Sequence, residues 1–293
     1  MRKLLIIFPV IAIILFSCQK EVDFLNGSGG GGGGGGTTGN RLVKAVSKSG
    51  TDSVVTTYTY NVAGKLVNEK SVGMSGTFDA GNELRYYRNA SGILTRFVQI
   101  NPNFVVAGID SAVTNVYYNA GTSRYTASVF TLNAFGFTIT DSTVLVYDAS
   151  GKVIRTDEYQ NIPLVTMGYE LVAKTNYTYD ASGGISQMDQ YSHDAATSAD
   201  DLEATYKYTY DTKTNAFDAV SMLSQKNEAM VTDHIDWIST HNISKFDFID
   251  MATPSNNFVF DFVYTYNSNN KPTTVTATQT PGGAVQTGTF TYQ

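Results

Sequence analysis

Few residues of this chain are equipped for chemistry. The 293-residue sequence holds three histidines and one cysteine. Asp233, His234, Asp236 and His241 lie close together, and imidazole with carboxylate is a ligand set that suits zinc. His234, Asp236 and His241 are therefore the candidates for a metal, set against the commoner source of such a cluster, a turn or short helix displaying polar side chains. The second reading is adopted, and neither metal nor cofactor is expected. For nucleophilic catalysis, no serine sits in a Gly-x-Ser-x-Gly elbow. The adjacent carboxylates Asp200 and Asp201 would serve glycoside hydrolysis only with another acid facing them across a cleft, and they read as a solvated loop. Asp148, Asp180 and Asp211 each open a turn, and one carboxylate per turn falls short of the several oxygens that calcium takes. The residues point away from an enzyme.

Cys18 is the remaining reactive group, and its surroundings give it another use. The chain begins MRKLLIIFPVIAIILFSCQKEVDF, in which Arg2 and Lys3 precede an apolar run from Leu4 to Phe16. That run is short of the roughly 20 residues of a spanning helix and has the basic start and small-residue end of an export signal. Leu15-Phe16-Ser17-Cys18 resembles the bacterial lipobox, which implies removal of residues 1–17 and lipidation of Cys18. Each acyl methylene then adds about 0.8 kcal/mol of anchorage. Gln19, not Asp, follows the cysteine, so the expected address is the outer membrane, lipid-anchored, with the protein surface-exposed or periplasm-facing. Residues 18–40 include consecutive glycines from Gly29 to Gly36. They read as a flexible tether with roughly 20 Å of slack rather than a phosphate loop, since no Lys-Ser/Thr pair follows. Loss of residues 1–17 removes two cations and no anion, which takes the formal charge from −6 to −8. That balance excludes nucleic acid as a partner and speaks against adhesion of the folded part to an anionic bilayer by net charge.

The elements that must position these groups announce themselves by repetition. Tyr60, Tyr87, Tyr118, Tyr147, Tyr179, Tyr210 and Tyr266 each stand just before or near an Asn or Asp, 27 to 32 residues apart except for the last gap. That gap is almost double, and one unit is read as degenerate. Within a unit, Tyr177 and Tyr179 alternate with polar neighbours as in a half-buried strand, and Asp180-Ala181-Ser182-Gly183 has turn chemistry. Each unit is thus a β-hairpin. The expected fold is all-β: an antiparallel β-meander of about eight hairpins over residues 41–293, forming a strongly curved sheet or barrel-like structure, with a short helical or irregular insertion at about 212–245. The wider stretch between Ser192 and Asn257 is where the repeat becomes irregular, and its opening, HDAATSADDLEA, reads as a polar insertion.

The sheet has unequal faces. Phe258, Phe260, Phe262, Tyr264 and Tyr266 share one side of their strand, and Tyr206, Tyr208 and Tyr210 repeat the pattern. So long an aromatic stripe must be covered, since each ring removed from water contributes about 1.5 to 3 kcal/mol. It is read as core, against which the insertion, with the sole tryptophan, could lie. Trp237, Phe258, Phe260, Phe262, Tyr264, Tyr206 and Tyr208 are the candidate binding surface should part of the stripe remain an open groove.

The Tyr-Asp-x-x-Gly hairpins resemble the YD-type repeats of bacterial surface proteins. Asp211-Thr212-Lys213-Thr214-Asn215-Ala216-Phe217, followed by His241-Asn242-Ile243-Ser244-Lys245, is similar to a Lys-x-Asn-Pro-Phe and Asn-Asn-x-x-Lys pair in Bacteroidetes lipoproteins carrying a domain of unknown function with a porin-like fold. Ala216 stands where that family has proline and His241 where it has the first asparagine. The resemblance implies a curved or barrel-like antiparallel sheet and no activity. The leading expectation is a lipid-anchored, non-enzymatic module that binds or presents a glycan, an apolar ligand or an envelope protein. The alternatives are a structural or membrane-embedded barrel, and, last, a metal-assisted hydrolase.

Overall fold

The computed structural model describes residues 41–75, 78–79, 81–102, 109, 111–134, 137–163, 166, 168–217, 222–223, 227–232 and 234–293. The export signal, Cys18 and the glycine tether lie outside them, as do Asp233 and Ala219. From Leu42 onward the chain runs as one meander. Its strands are β1 (Leu42–Ser49), β2 (Asp52–Tyr60), β3 (Leu66–Ser75), the two-residue β4 (Phe78–Asp79), β5 (Asn82–Arg88), β6 (Leu94–Ile100), β7 (Ala112–Asn119), β8 (Arg124–Ala134) and β9 (Phe137–Tyr147). It continues through β10 (Val153–Asn161), β11 (Glu170–Tyr179), β12 (Ile185–Asp194), β13 (Ala199–Thr214), β14 (His241–Asp250), β15 (Phe258–Tyr266), β16 (Pro272–Thr280) and β17 (Val285–Tyr292). Successive strands pair antiparallel, β9 with β10 included, and β17 returns to pair with β1 from Leu42↔Tyr292 to Ser49↔Gln286. With β4 only continuing β5 along the end of β3, sixteen strands close into a barrel that leaves no free edge among the described strands.

The closure is built from one local device, a tight Asn or Asp turn used six times, with Asp211 opening a seventh and much longer connection. At one end of the barrel each hairpin turns through Asn or Asp, whose side chain accepts backbone N–H bonds from inside the turn; Asp148 takes Lys152, Asp180 takes Ser182 and Gly184, and Asn89 takes Ser91 and Ile93. Gly151 supplies the left-handed φ of +89° that such a reversal needs, and a Cβ there would stand 2.4 Å from the Arg124 guanidinium. Beside each turn the register slips by a bulge, which bends and twists the strand and so curves the sheet. Five tyrosines at this end of their strands point into the bore and donate their hydroxyls to a backbone carbonyl at or next to the start of another strand. Tyr60 reaches the Leu42 carbonyl at 2.6 Å, Tyr147 that of Tyr125, Tyr179 that of Val153, Tyr210 that of Ile185 and Tyr292 that of Pro272.

Three expectations need correction. Tyr87 is not the repeat residue of its unit; it faces outward, 40% exposed, and Arg88 occupies the inward slot, donating to the Leu66 carbonyl. The polar stretch from His193, including Asp200 and Asp201, is not a solvated loop but the end of β12, a tight turn and the start of β13, where His193 pairs with Asp200 across the ladder. From Asp194 to Asp201 the tip of this hairpin is exposed on both faces, so its residues lack the two-residue alternation by which a strand is read from sequence. The unit between Tyr210 and Tyr266 is not degenerate either: β13 and β14 form a full hairpin whose turn has grown into residues 215–240.

Candidate functional site

The described residues of the stretch 215–240 pack inside the barrel, at the end where the Asn/Asp turns lie. Asp211 begins the detour: its Oδ1 accepts the backbone N–H groups of Lys213 and Asn242, and its Oδ2 accepts the Tyr266 hydroxyl. Asn215 and Asn242 then hold both legs of the excursion. The Asn215 side-chain amide donates to the carbonyls of Asp236 at 3.1 Å and Ser239 at 3.0 Å and accepts from Phe217 N–H, while Asn242 accepts from Ala216 N–H and donates to the Thr214 carbonyl. These are the two asparagines of the motif pair noted in the sequence. Their function is to clamp the two ends of the plug.

Inside, the plug is mostly apolar and short of regular structure. Among its described residues are an α-turn, α1 (Glu228–Val231), and a 3-10 turn at Ile235–Trp237. Met222, Leu223, Ala229, Met230, Val231, Ile235, Trp237 and Ile238 are buried against Leu42, Tyr58, Leu66, Leu94, Tyr125, Val153 and Ile185 of the wall. Trp237 is 2% exposed, stacks on Phe217 at 5.5 Å and packs on the His234 ring at 3.9 Å.

Two clusters of charged side chains cross from plug to wall, beside the single bonds of Lys65 Nζ to the Leu223 carbonyl at 2.6 Å and of the Asn227 amide to the Tyr147 hydroxyl at 3.1 Å. Arg88 forms a bidentate pair with Glu228 at 2.5 and 2.9 Å, with side chains 5% and 0% exposed, and the Tyr125 hydroxyl also donates to Glu228 at 3.0 Å. His234 Nε2 lies 3.1 Å from Glu69, which also accepts the Tyr86 hydroxyl, while His234 Nδ1 lies 3.0 Å from the Thr232 hydroxyl. Burial, then the Glu69 charge, raises the Tyr86 hydroxyl well above the ordinary phenol range, so it remains a donor. Away from the plug, on β9 and β10, Gln160 bridges Asp141 and Glu158 at 3.0 and 2.9 Å. Burial and the neighbouring Glu158 push Asp141 up to about 8.

The candidate residues of the sequence sort accordingly. Phe260 and Phe262 are buried with Ile243, Phe246, Val275 and Ala277, and Tyr206, Tyr208, Phe258 and Tyr264 pack on that cluster. Together with Trp237 they form the inner wall and its filling. Between plug and wall, beside Phe262 and Tyr264, remains a cavity of about 30 Å³, room for water only. His234, Asp236 and His241 do not converge: His234 serves Glu69, the Asp236 carbonyl receives Asn215, and His241 Nδ1 meets the Lys213 carbonyl at 3.2 Å. Among the described residues no group of three or more His, Cys, Asp or Glu is arranged for a metal. Arg88, Glu228 and Glu69 were not singled out by their types; the available signal was Arg88-Asn89-Ala90-Ser91-Gly92, which places arginine in the frame of the repeat tyrosine.

No family model and no curated protein matches the chain. Its fold does have solved counterparts. A porin-like protein from Bacteroides uniformis superposes with a TM-score of 0.52 at 14% identity, over 88% of this chain and 99% of that one. A porin-like protein from Bacteroides vulgatus gives 0.52 at 11% identity, over 87% and 99%. The fold is porin-like.

Proposed function

We propose, with the porin-like barrel as premise, that the chain is a non-enzymatic structural protein of the cell envelope whose bore is closed by its own residues and which stands in water on a lipidated Cys18. The filled bore carries this reading. Barrels of 16 to 18 strands ordinarily leave an aqueous channel, and here residues 215–240 occupy it with apolar side chains. The aromatic stripe is spent largely on that packing, with Tyr208 and Tyr210 also lining an open recess of about 450 Å³ beside Asp180 and His241.

The outer face supports a barrel in water over one in lipid. Lys70, Arg85, Arg155, Asp189, Lys207 and Asp261 project outward from the strands, alternating with inward Glu69, Leu84, Thr156, Met188, Tyr206 and Phe260. A lysine or arginine facing lipid at the bilayer midplane costs about 2–4 kcal/mol, so the outer face as a whole opposes insertion. The test is to make residues 18–293 with Cys18→Ser in the absence of detergent. A soluble, monodisperse protein without conductance in planar bilayers is expected, and a requirement for detergent or stepwise ion currents would overturn the reading. Incorporation of labelled palmitate by the wild type and not by Cys18→Ser checks the anchor separately.

A further inference from the structure

The net negative charge conceals a separation of charge along the barrel axis. At the plugged end, the described residues of the turns, their flanks and the plug carry Arg41, Lys65, Arg124, Lys152, Lys213 and the buried Lys271, against Asp148, Asp180, Asp211 and Asp236, with the Lys65 ammonium bound to the Leu223 carbonyl. The stacking of Arg41 on Tyr60, Arg124 on Tyr147 and Lys152 on Tyr179, at 4.9 to 5.2 Å, fixes these cations around the rim. The hairpin ends at the opposite mouth carry Asp52, Glu170, Asp194, Asp201, Glu203 and Asp250, opposed among the described residues by Lys48 and by Lys174, which is bound to Asp200. Arg41 and Gln293 exchange backbone hydrogen bonds at the basic end, so the point to which the proposed tether is attached lies on the plugged rim.

We infer that the plugged end of the barrel is a membrane-facing surface, its ring of cations resting against anionic lipid phosphates while the acidic mouth projects away. The inference rests on the tethered reading above. A tether with roughly 20 Å of slack keeps that end within reach of the headgroups, and attraction of its cations to anionic lipid, with repulsion of the far carboxylates, selects one orientation. Both act within a Debye length of about 10 Å at moderate salt. Val62, 93% exposed at the tip of a turn on this rim, adds an apolar contact at the headgroup boundary.

The experiment replaces the acyl group by a polyhistidine tag ahead of residue 18, in the Cys18→Ser chain, bound to nickel-chelating lipid, so that it does not depend on lipidation. A donor dye is placed at Ala149→Cys on the plugged rim or at Ala252→Cys on the far mouth, roughly 25 Å apart for tilted strands of this length. The vesicles contain a headgroup acceptor dye in phosphatidylcholine, with or without phosphatidylglycerol. Several-fold stronger transfer from Ala149→Cys than from Ala252→Cys is expected on anionic vesicles, lost in high salt and in the Lys152→Gln/Lys213→Gln variant. Equal transfer from the two sites on anionic vesicles would overturn the proposal, as would a difference that persists without phosphatidylglycerol. Failure of palmitate labelling would instead remove the anchor and leave this result standing.

Discussion

At the scale of the residue, the Arg88–Glu228 pair shows why a plug and its wall behave as one body. Both charges are withdrawn from water, so each depends on the other. Arg88→Met or Glu228→Leu alone leaves a buried charge unmatched and should cost about 3–5 kcal/mol in urea unfolding, while the double substitution should recover much of the loss. Asp141 presents the opposite case. Its folded-state pKa of about 8 lies above its unfolded value, so the folded state holds a proton that the unfolded state releases. Stability from this group is fully present at acid pH, falls as pH rises from about 4 towards 8, and is lost above that range. The expected outcome for Asp141→Asn is a flatter profile of urea midpoint against pH and a gain over the wild type at pH values above Asp141's titration.

At the scale of the element, the hairpins were legible in the sequence because everything that makes them is local. Asp148, Ala149, Ser150 and Gly151 form their turn with their own hydrogen bonds and one left-handed φ. The plug was legible as apolar and irregular, and its coverage of the aromatic stripe followed from the need to hide those rings. Its position inside a closed wall was not, because the contacts that put it there, such as Lys65 Nζ to the Leu223 carbonyl, span 158 residues. Arg88 escaped for a related reason: an arginine at a core position is intelligible only once Glu228 is known to face it. The clamp can be tested at this scale. Asn215→Ala removes the side-chain bonds to Asp236, Ser239 and Phe217 and should cost about 1–3 kcal/mol, with faster proteolytic cleavage within 215–240 as the readout. Replacing 215–240 by a short turn should expose the apolar wall and give a protein that binds the dye ANS and aggregates.

At the scale of the whole molecule, closure decides behaviour. The ladder between β1 and β17 is the only one that joins the two ends of the chain, and no local pattern announces it; only the unequal faces and the bulges, which demand curvature, hint that the sheet must come round. Removing residues 285–293 would leave β1 and β16 as open edges. Truncation at Ala284 should therefore yield oligomers in size-exclusion chromatography rather than a stable monomer.

Because one edge of β1 pairs at once with β2 while the other finds its mate only in β17, that second edge is the one that waits longest. No partial product of synthesis or export is a smaller version of the finished object; every intermediate is an open trough with two hungry borders and greasy contents. Such a topology folds slowly and invites association on the way. The chain's demand on holding chaperones is therefore set by where its last strand sits.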